Sequence, residues 1–285
     1  MESHRYVVVD VFSDRPLAGN QLAVFTNAQK IPEHLLQPLA REIGFSETVF
    51  CYPAAGEGHA RIRIFTPESE VPFAGHPTLG TAFVLAGPLQ LGLIRLETGS
   101  GVVAVELERG ESGRIVFGRM SQPLPRIEPF EQTPELLVAL GLERSELPVE
   151  LYDTGIRHVF VALGSEAEVA ALAPEQRALK TFGALGVNCV AGSGKAWKTR
   201  CFVPGLGVEE DAATGSAAGP LVLHLARHGV VPFGEEIEIR QGEEIGRPST
   251  LYAVAHGSAE AVERIEVGGA AVIVARGEFG LPSSA

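Results

Sequence analysis

The 285-residue chain is 45% hydrophobic and 20% charged, with a formal net charge of −12, which gives ample apolar content for two cores of ordinary domain size. The acidic balance and the lack of a basic cluster argue against nucleic acid and anionic membranes as partners. No 18-residue apolar run is present, and MESHRYVVVDVF leads straight into a strand, so a cytoplasmic protein without membrane span or signal peptide is expected.

Tyr6 to Phe12 is rich in β-branched residues and predicts a strand, and Pro16-Leu17-Ala18-Gly19-Asn20 predicts a turn into a second strand, Leu22 to Phe25. Pro32 to Ile43 has helical periodicity with Gly44 as its stop, and Pro38 inside it should kink the helix or delay its start. Phe45 to Cys51 begins a strand with the carboxylate of Glu47 near its first residue. Arg61 to Phe65 alternates as a strand with one buried face; Gly75-His76-Pro77 then opens an apolar run, Leu79 to Ala86, that should end at Gly87-Pro88. That run carries no charge, so its helix should be buried on all sides. Leu93 to Leu107 reads as two strands joined through Gly99-Ser100-Gly101, and Arg114 to Met120 as one more.

Gln122 to Pro134, rich in Pro and polar residues, is the expected domain boundary, giving an N-terminal lobe over 1–121 and a C-terminal lobe over 122–285 whose last strand is free to return to the first. Beyond it lie a short helix from Pro134 to Leu140, a strand from Arg157 to Leu163, small helices over Glu166 to Ala173 and Glu175 to Phe182, and a strand from Val187 to Ala191. Gln241 to Pro248, Leu251 to Ala255 and Val272 to Val274 make a strand-rich ending. Strands outnumber helices and come in consecutive runs, so the fold class is α+β with mostly antiparallel sheet, each lobe wrapping a sheet around a buried helix.

One unit occurs twice. Lys198-Thr199-Arg200-Cys201-Phe202-Val203-Pro204 matches Arg61 to Pro67, with Arg, Phe and Pro at equal offsets. If three residues are inserted in the second copy, Gly75-His76 falls opposite Gly215-Ser216, which opens a second apolar run, Ala217 to Ala226. A helix N-terminus presents unpaired N–H groups and partial positive charge, so two such loops could grip a small anion from both sides. The same residues also suit ordinary helix starts with Ser or Thr caps; the repetition, with His76 and Asp211 in apolar surroundings, favours the anion. Arg63 and Arg200 are strand arginines suited to acidic neighbours and are left out of the site. Cys51, Cys189 and Cys201 are scattered in apolar runs without metal-like spacing, which predicts buried free thiols. Trp197 is assigned to packing.

Val9 to Phe12 with Pro16 to Asn20, Phe45-Ser46-Glu47-Thr48, Arg61 to Pro67, Pro72 to Gly80, Arg157-His158-Val159-Phe160, Glu210 to Gly219 and Gln241 to Ser249 together resemble the phenazine-biosynthesis isomerase family, often termed PhzF-like, over essentially the whole chain. Gln21 departs from it, standing where a Pro is usual. The resemblance implies the diaminopimelate-epimerase fold, with two pseudo-symmetric lobes and the site between them. It implies a cofactor-free, metal-free isomerase of trans-2,3-dihydro-3-hydroxyanthranilate that moves a proton from ring C3 to C1. Carried over by motif, the general acid/base falls on Glu47 and the substrate-holding groups on Gly75, His76, Asp211, Gly215 and Ser216. A homodimer is also implied. Read without the family, Glu47 is more simply an ordinary surface residue at a strand start than a catalytic one. His76, beside a helix start, should be neutral.

Two other functions compete. An amino-acid racemase or epimerase of the same fold would use a cysteine in each helix-start loop, and residues 73–80 and 211–219 contain none. A protein that binds a small acid without turnover would keep the cleft and need no carboxylate at Glu47.

Overall fold

The first strand, β1 (Glu2–Val11), pairs antiparallel with β2 (Asn20–Phe25). The turn between them is tight: Phe12 and Leu17 adopt φ of 62° and 65°, and the Leu17 N–H donates to Asp10 Oδ2 at 2.7 Å. Gly19, at φ 71°, has no room for a side chain, since a Cβ would lie 2.4 Å from the Val11 carbonyl oxygen. Helix α1 (Glu33–Ile43) follows; it keeps Pro38 inside and starts on time at Glu33, and Gly44 closes it in the left-handed conformation. Then come β3 (Glu47–Tyr52), parallel to β2; β4 (Ala60–Phe65), antiparallel to β3; the short β5 (Glu70–Val71); and α2 (Gly75–Leu89). Strands β6 (Leu93–Thr98), β7 (Gly101–Arg109) and β8 (Ile115–Gln122) form a meander whose first strand lies parallel to β4.

In the computed structural model, which describes residues 2–282, these elements form one of two compact units, Met1–Met120 together with Gly268–Ala285. The second is Ser121–Val267. It holds β9 (Arg126–Pro129), α3 (Thr133–Leu140), β10 (Glu150–Asp153), β11 (Arg157–Ala162), α4 (Glu166–Ala171), α5 (Gln176–Lys180), β12 (Leu185–Ser193), β13 (Ala196–Val203), β14 (Val208–Asp211), α6 (Gly215–Arg227), β15 (Ile237–Gln241), β16 (Ser249–Gly257) and β17 (Val262–Gly269). The final strand, β18 (Ala271–Leu281), runs antiparallel to β1 in the first unit. The Pro-rich segment expected as a linker therefore contains β9, which pairs with β10. Helices α4 and α5 are shorter than their apolar patterns suggest.

Helix α2 is buried almost all round, from Gly75 to Val84, and Leu79, Phe83 and Val84 each gain roughly 1.5–3 kcal/mol on burial. Gly80 lets β1 and β2 approach it: a Cβ there would meet the Val11 and Leu22 side chains at 2.6 and 2.7 Å. The helix does not end at Gly87-Pro88. It continues to Leu89, and Gln90 takes the left-handed cap at φ 55°. Pro88 lacks the N–H that would help close the last turn, and the turn is held instead by the Gln90 and Leu91 N–H groups, which reach back to the Ala86 and Gly87 carbonyls.

The two units share one strand plan. Val49 faces Ile64 across β3 and β4, as Asn188 faces Cys201 across β12 and β13. In each, the first strand of that pair also runs parallel to an outer neighbour, Leu22 opposite Glu47 in one and His158 opposite Gly186 in the other. Ile64 pairs with Val71 and Cys201 with Asp211, so the three extra residues fall between β13 and β14, at the 3-10 turn Pro204–Leu206. Arg63 and Arg200 occupy equal places. Each lies over the ring two residues on, Phe65 or Phe202, at 5.2 and 5.0 Å from its centroid. Each is also paired, Arg63 with Glu33 and Glu70, Arg200 with Glu210.

Candidate active site

In the first unit the structure brings Glu47, Gly75 and His76 together with Asn20. Glu47 is the first residue of β3, its side chain only 14% exposed, and its Oε2 lies 3.5 Å from His76 Nδ1. Asn20, the first residue of β2, sets its Nδ2 3.3 Å from the same nitrogen, and its Oδ1 accepts from Ser46 Oγ at 3.3 Å. Burial pushes the His76 imidazole down to about 3, partly opposed by a hydrogen bond with the Gln21 backbone. His76 is therefore neutral across the physiological range, and burial is the main cause. The 3.5 Å contact is therefore a neutral imidazole beside a carboxyl group, not an ion pair with a charged histidine.

Helix α2 begins after Ala74, which has no side chain to cap it, and the Thr78 hydroxyl is turned back to the Ala74 carbonyl at 2.8 Å. Helix α6 begins after Thr214, and Thr214 makes no capping bond either. Its hydroxyl donates to Asp211 Oδ2 at 2.7 Å. Both helix starts thus lack the side-chain cap that would make them ordinary termini.

Asp211, Gly215 and Ser216 lie together in the second unit, all buried. Gln241, at the end of β15, organises them. Its Nε2 donates to the Asp211 carbonyl at 2.8 Å and to Thr214 Oγ1 at 2.9 Å, while its Oε1 accepts from Thr214 N–H at 3.1 Å. Gln122 Nε2 donates to the Gly215 carbonyl at 2.8 Å. Ser216 Oγ lies 3.0 Å from Nε2 of His158. In the sequence Gln241 and His158 stand only as parts of motifs; their contacts span tens of residues and leave no local signal.

The three cysteines are buried and free. Burial pushes the Cys51 and Cys189 thiols up to about 12, and Cys201 is raised well above its usual value for the same reason. None is an activated nucleophile or proton carrier.

Among the described residues, one group could approach a metal: Glu150, His224 and His228, at the far end of α6. Glu150 Oε2 already accepts from Arg227 Nη1 at 2.8 Å and from Tyr152 Oη at 3.0 Å, and lies 3.0 Å from His228 Nε2. A guanidinium on the shared carboxylate oxygen opposes a second cation, so the cluster reads as an ion-pair network centred on Glu150.

Residues 9–277 match the family described as phenazine biosynthesis-like protein (PhzC-PhzF). The chain is 51% identical, over 96% of its length and 98% of the relative's, to the trans-2,3-dihydro-3-hydroxyanthranilate isomerase of Pseudomonas aeruginosa. Among solved structures it is similar to the Bacillus anthracis phenazine biosynthesis protein of the PhzF family, with TM-score 0.84 and 25% identity over 99% of this chain and 100% of that one. The probable proline racemase of Agrobacterium radiobacter K84 shares the fold alone, with TM-score 0.70 and 14% identity over 98% and 93% of the two chains. No helix among the described residues is long and apolar enough to cross a membrane.

Proposed function

Since the chain belongs to the phenazine biosynthesis-like (PhzC-PhzF) family, we propose that Glu47 is the proton-carrying group of its active site. The protein is an isomerase acting on a small molecule, and its substrate is trans-2,3-dihydro-3-hydroxyanthranilate. Near full-length likeness to an enzyme of that name carries the substrate assignment. The position of Glu47 beside a neutral imidazole supports the residue assignment.

The reaction needs a proton taken from ring C3 and returned at C1. Glu47 as carboxylate accepts the C3 proton, and the electron pair left behind delocalises through the ring diene. The same carboxyl then delivers the proton to C1, so base and acid are one group and the enzyme ends as it began. Neutral His76 donates or accepts a hydrogen bond without competing for that proton. Gly75, Gly215 and Ser216 offer N–H and hydroxyl donors to the substrate carboxylate at uncapped helix starts. Asp211, its orientation set by Thr214, accepts from the substrate's amino or hydroxyl group.

The racemase mechanism finds no support in residues 73–80 and 211–219, which hold no thiol. Turnover in heavy water tests the reading against simple binding. The purified protein should consume the ring acid and leave deuterium at the new C–H; a bound but unconverted substrate would contradict it. A homodimer in the cytoplasm is part of the same proposal, and light scattering at the 30.2 kDa monomer mass across working concentrations would remove the dimer.

A further inference from the structure

Ser216 occupies in the second unit the helix position of His76 in the first, yet the surroundings differ chemically. Where β3 carries Glu47 opposite Leu22, β12 carries Gly186 opposite His158. Gly186 is required there: a Cβ would lie 2.3 Å from His158 Nδ1. The missing side chain gives the imidazole room to reach the start of α6, and His158 Nε2 meets Ser216 Oγ at 3.0 Å.

Each hydrogen along this chain is determined by its neighbours. Asn188 Nδ2 lies 3.1 Å from both the Val159 and Gly186 carbonyl oxygens. Two carbonyls facing one atom demand a donor, so the amide cannot be flipped to place its oxygen there. The same Nδ2 lies 3.4 Å from His158 Nδ1. A protonated Nδ1 would set donor against donor, so Nδ1 is bare and the ring hydrogen sits on Nε2. Burial also keeps the ring neutral at physiological pH, pushing it down to about 4 against the opposing charge of Asp153. The Nε2–H then donates to Ser216 Oγ. With one lone pair of that oxygen taken, the hydroxyl hydrogen points away from His158.

We propose that His158 is a positioning residue that holds the Ser216 hydroxyl as a hydrogen-bond donor toward an oxygen of the substrate's anionic group. The inference rests on the reading of Ser216 as a ligand contact. It gives the asymmetry of the repeat a chemical sense: one copy spends its strand position on a carboxyl group, the other on orienting a hydroxyl.

A double-mutant cycle tests it, with KM and kcat measured on the ring acid. Ser216→Ala should raise KM about 3- to 10-fold with kcat nearly unchanged, the effect of one lost hydrogen bond to bound substrate. His158→Phe, similar in volume but without a donor, should raise KM to a similar extent. In the Ser216→Ala background the same change should add nothing. His158→Gln, whose amide can supply the donor, should bring KM back to within about 2-fold of wild type. An additive double mutant would overturn the inference while leaving Ser216 as a ligand contact. An unchanged KM in Ser216→Ala would overturn both readings together. Should His158→Phe fail to fold, nitrogen-15 NMR of the wild-type imidazole decides. The inference requires the neutral Nε2–H form at pH 7, and an Nδ1–H form or an imidazolium would refute it.

Discussion

Lowering the pH from 7 to 5 should destabilise the second unit, and His158 should account for a definable share. Its imidazole titrates near 4 in the folded chain against 6.5 for the ordinary value, because burial disfavours the charged ring. Below pH 6.5 the unfolded chain takes up a proton that the folded chain refuses. Stability from this group is therefore complete above pH 6.5 and falls as the pH drops toward 4. At pH 5 the gap of 1.5 pH units is worth about 2 kcal/mol, at 1.36 kcal/mol per unit. Trp197, the only tryptophan, sits buried on β13 of the same unit, so its fluorescence in urea follows the unfolding of the part that holds His158. His158→Gln keeps a donor and an acceptor but does not titrate. The wild type should lose about 2 kcal/mol more than His158→Gln between pH 7 and pH 5, with all other titrating groups shared by both proteins. Equal losses in the two proteins would refute the assignment of a buried, neutral His158.

Arg200 and Arg63 occupy equivalent strand positions but should contribute unequally. The Arg200–Glu210 pair is 9% exposed on each side, and Arg200 also donates to the Leu172 carbonyl at 2.7 Å, so Arg200→Ala should cost about 3 kcal/mol in urea unfolding. Arg63 is paired with largely exposed carboxylates, and Arg63→Ala should cost about 1 kcal/mol; equal costs would contradict the argument from burial. Replacing all three cysteines by Ala or Ser should leave isomerase activity within a few-fold, and loss of turnover in a folded Cys201 variant would restore a thiol mechanism.

The strand, Gly loop and apolar helix that occur twice were legible because each is a local pattern and its recurrence is visible by eye. The three-residue insertion was legible too, and it falls between β13 and β14. What the chain hides is register. Nothing in RHVF says that His158 will lie opposite Gly186, because that depends on parallel pairing of β11 with β12 across 28 residues of sequence. Gln241 likewise gains its place only when β15 packs beside β13. Gly87-Pro88 usually stops a helix, yet α2 runs one residue past the proline, because the Gln90 and Leu91 N–H groups bond back to the Gly87 and Ala86 carbonyls and close the last turn. Strand β9 was hidden in a Pro-rich stretch, since proline is tolerated at a strand's end.

The central claim, that Glu47 carries the proton, is tested most directly by Glu47→Gln, which keeps the shape and hydrogen bonding of the side chain without its basicity. Binding of the ring acid measured by calorimetry should stay within a few-fold of wild type, while kcat falls by at least about 10²-fold. A Glu47→Gln enzyme that turns over at near wild-type rate would contradict the account.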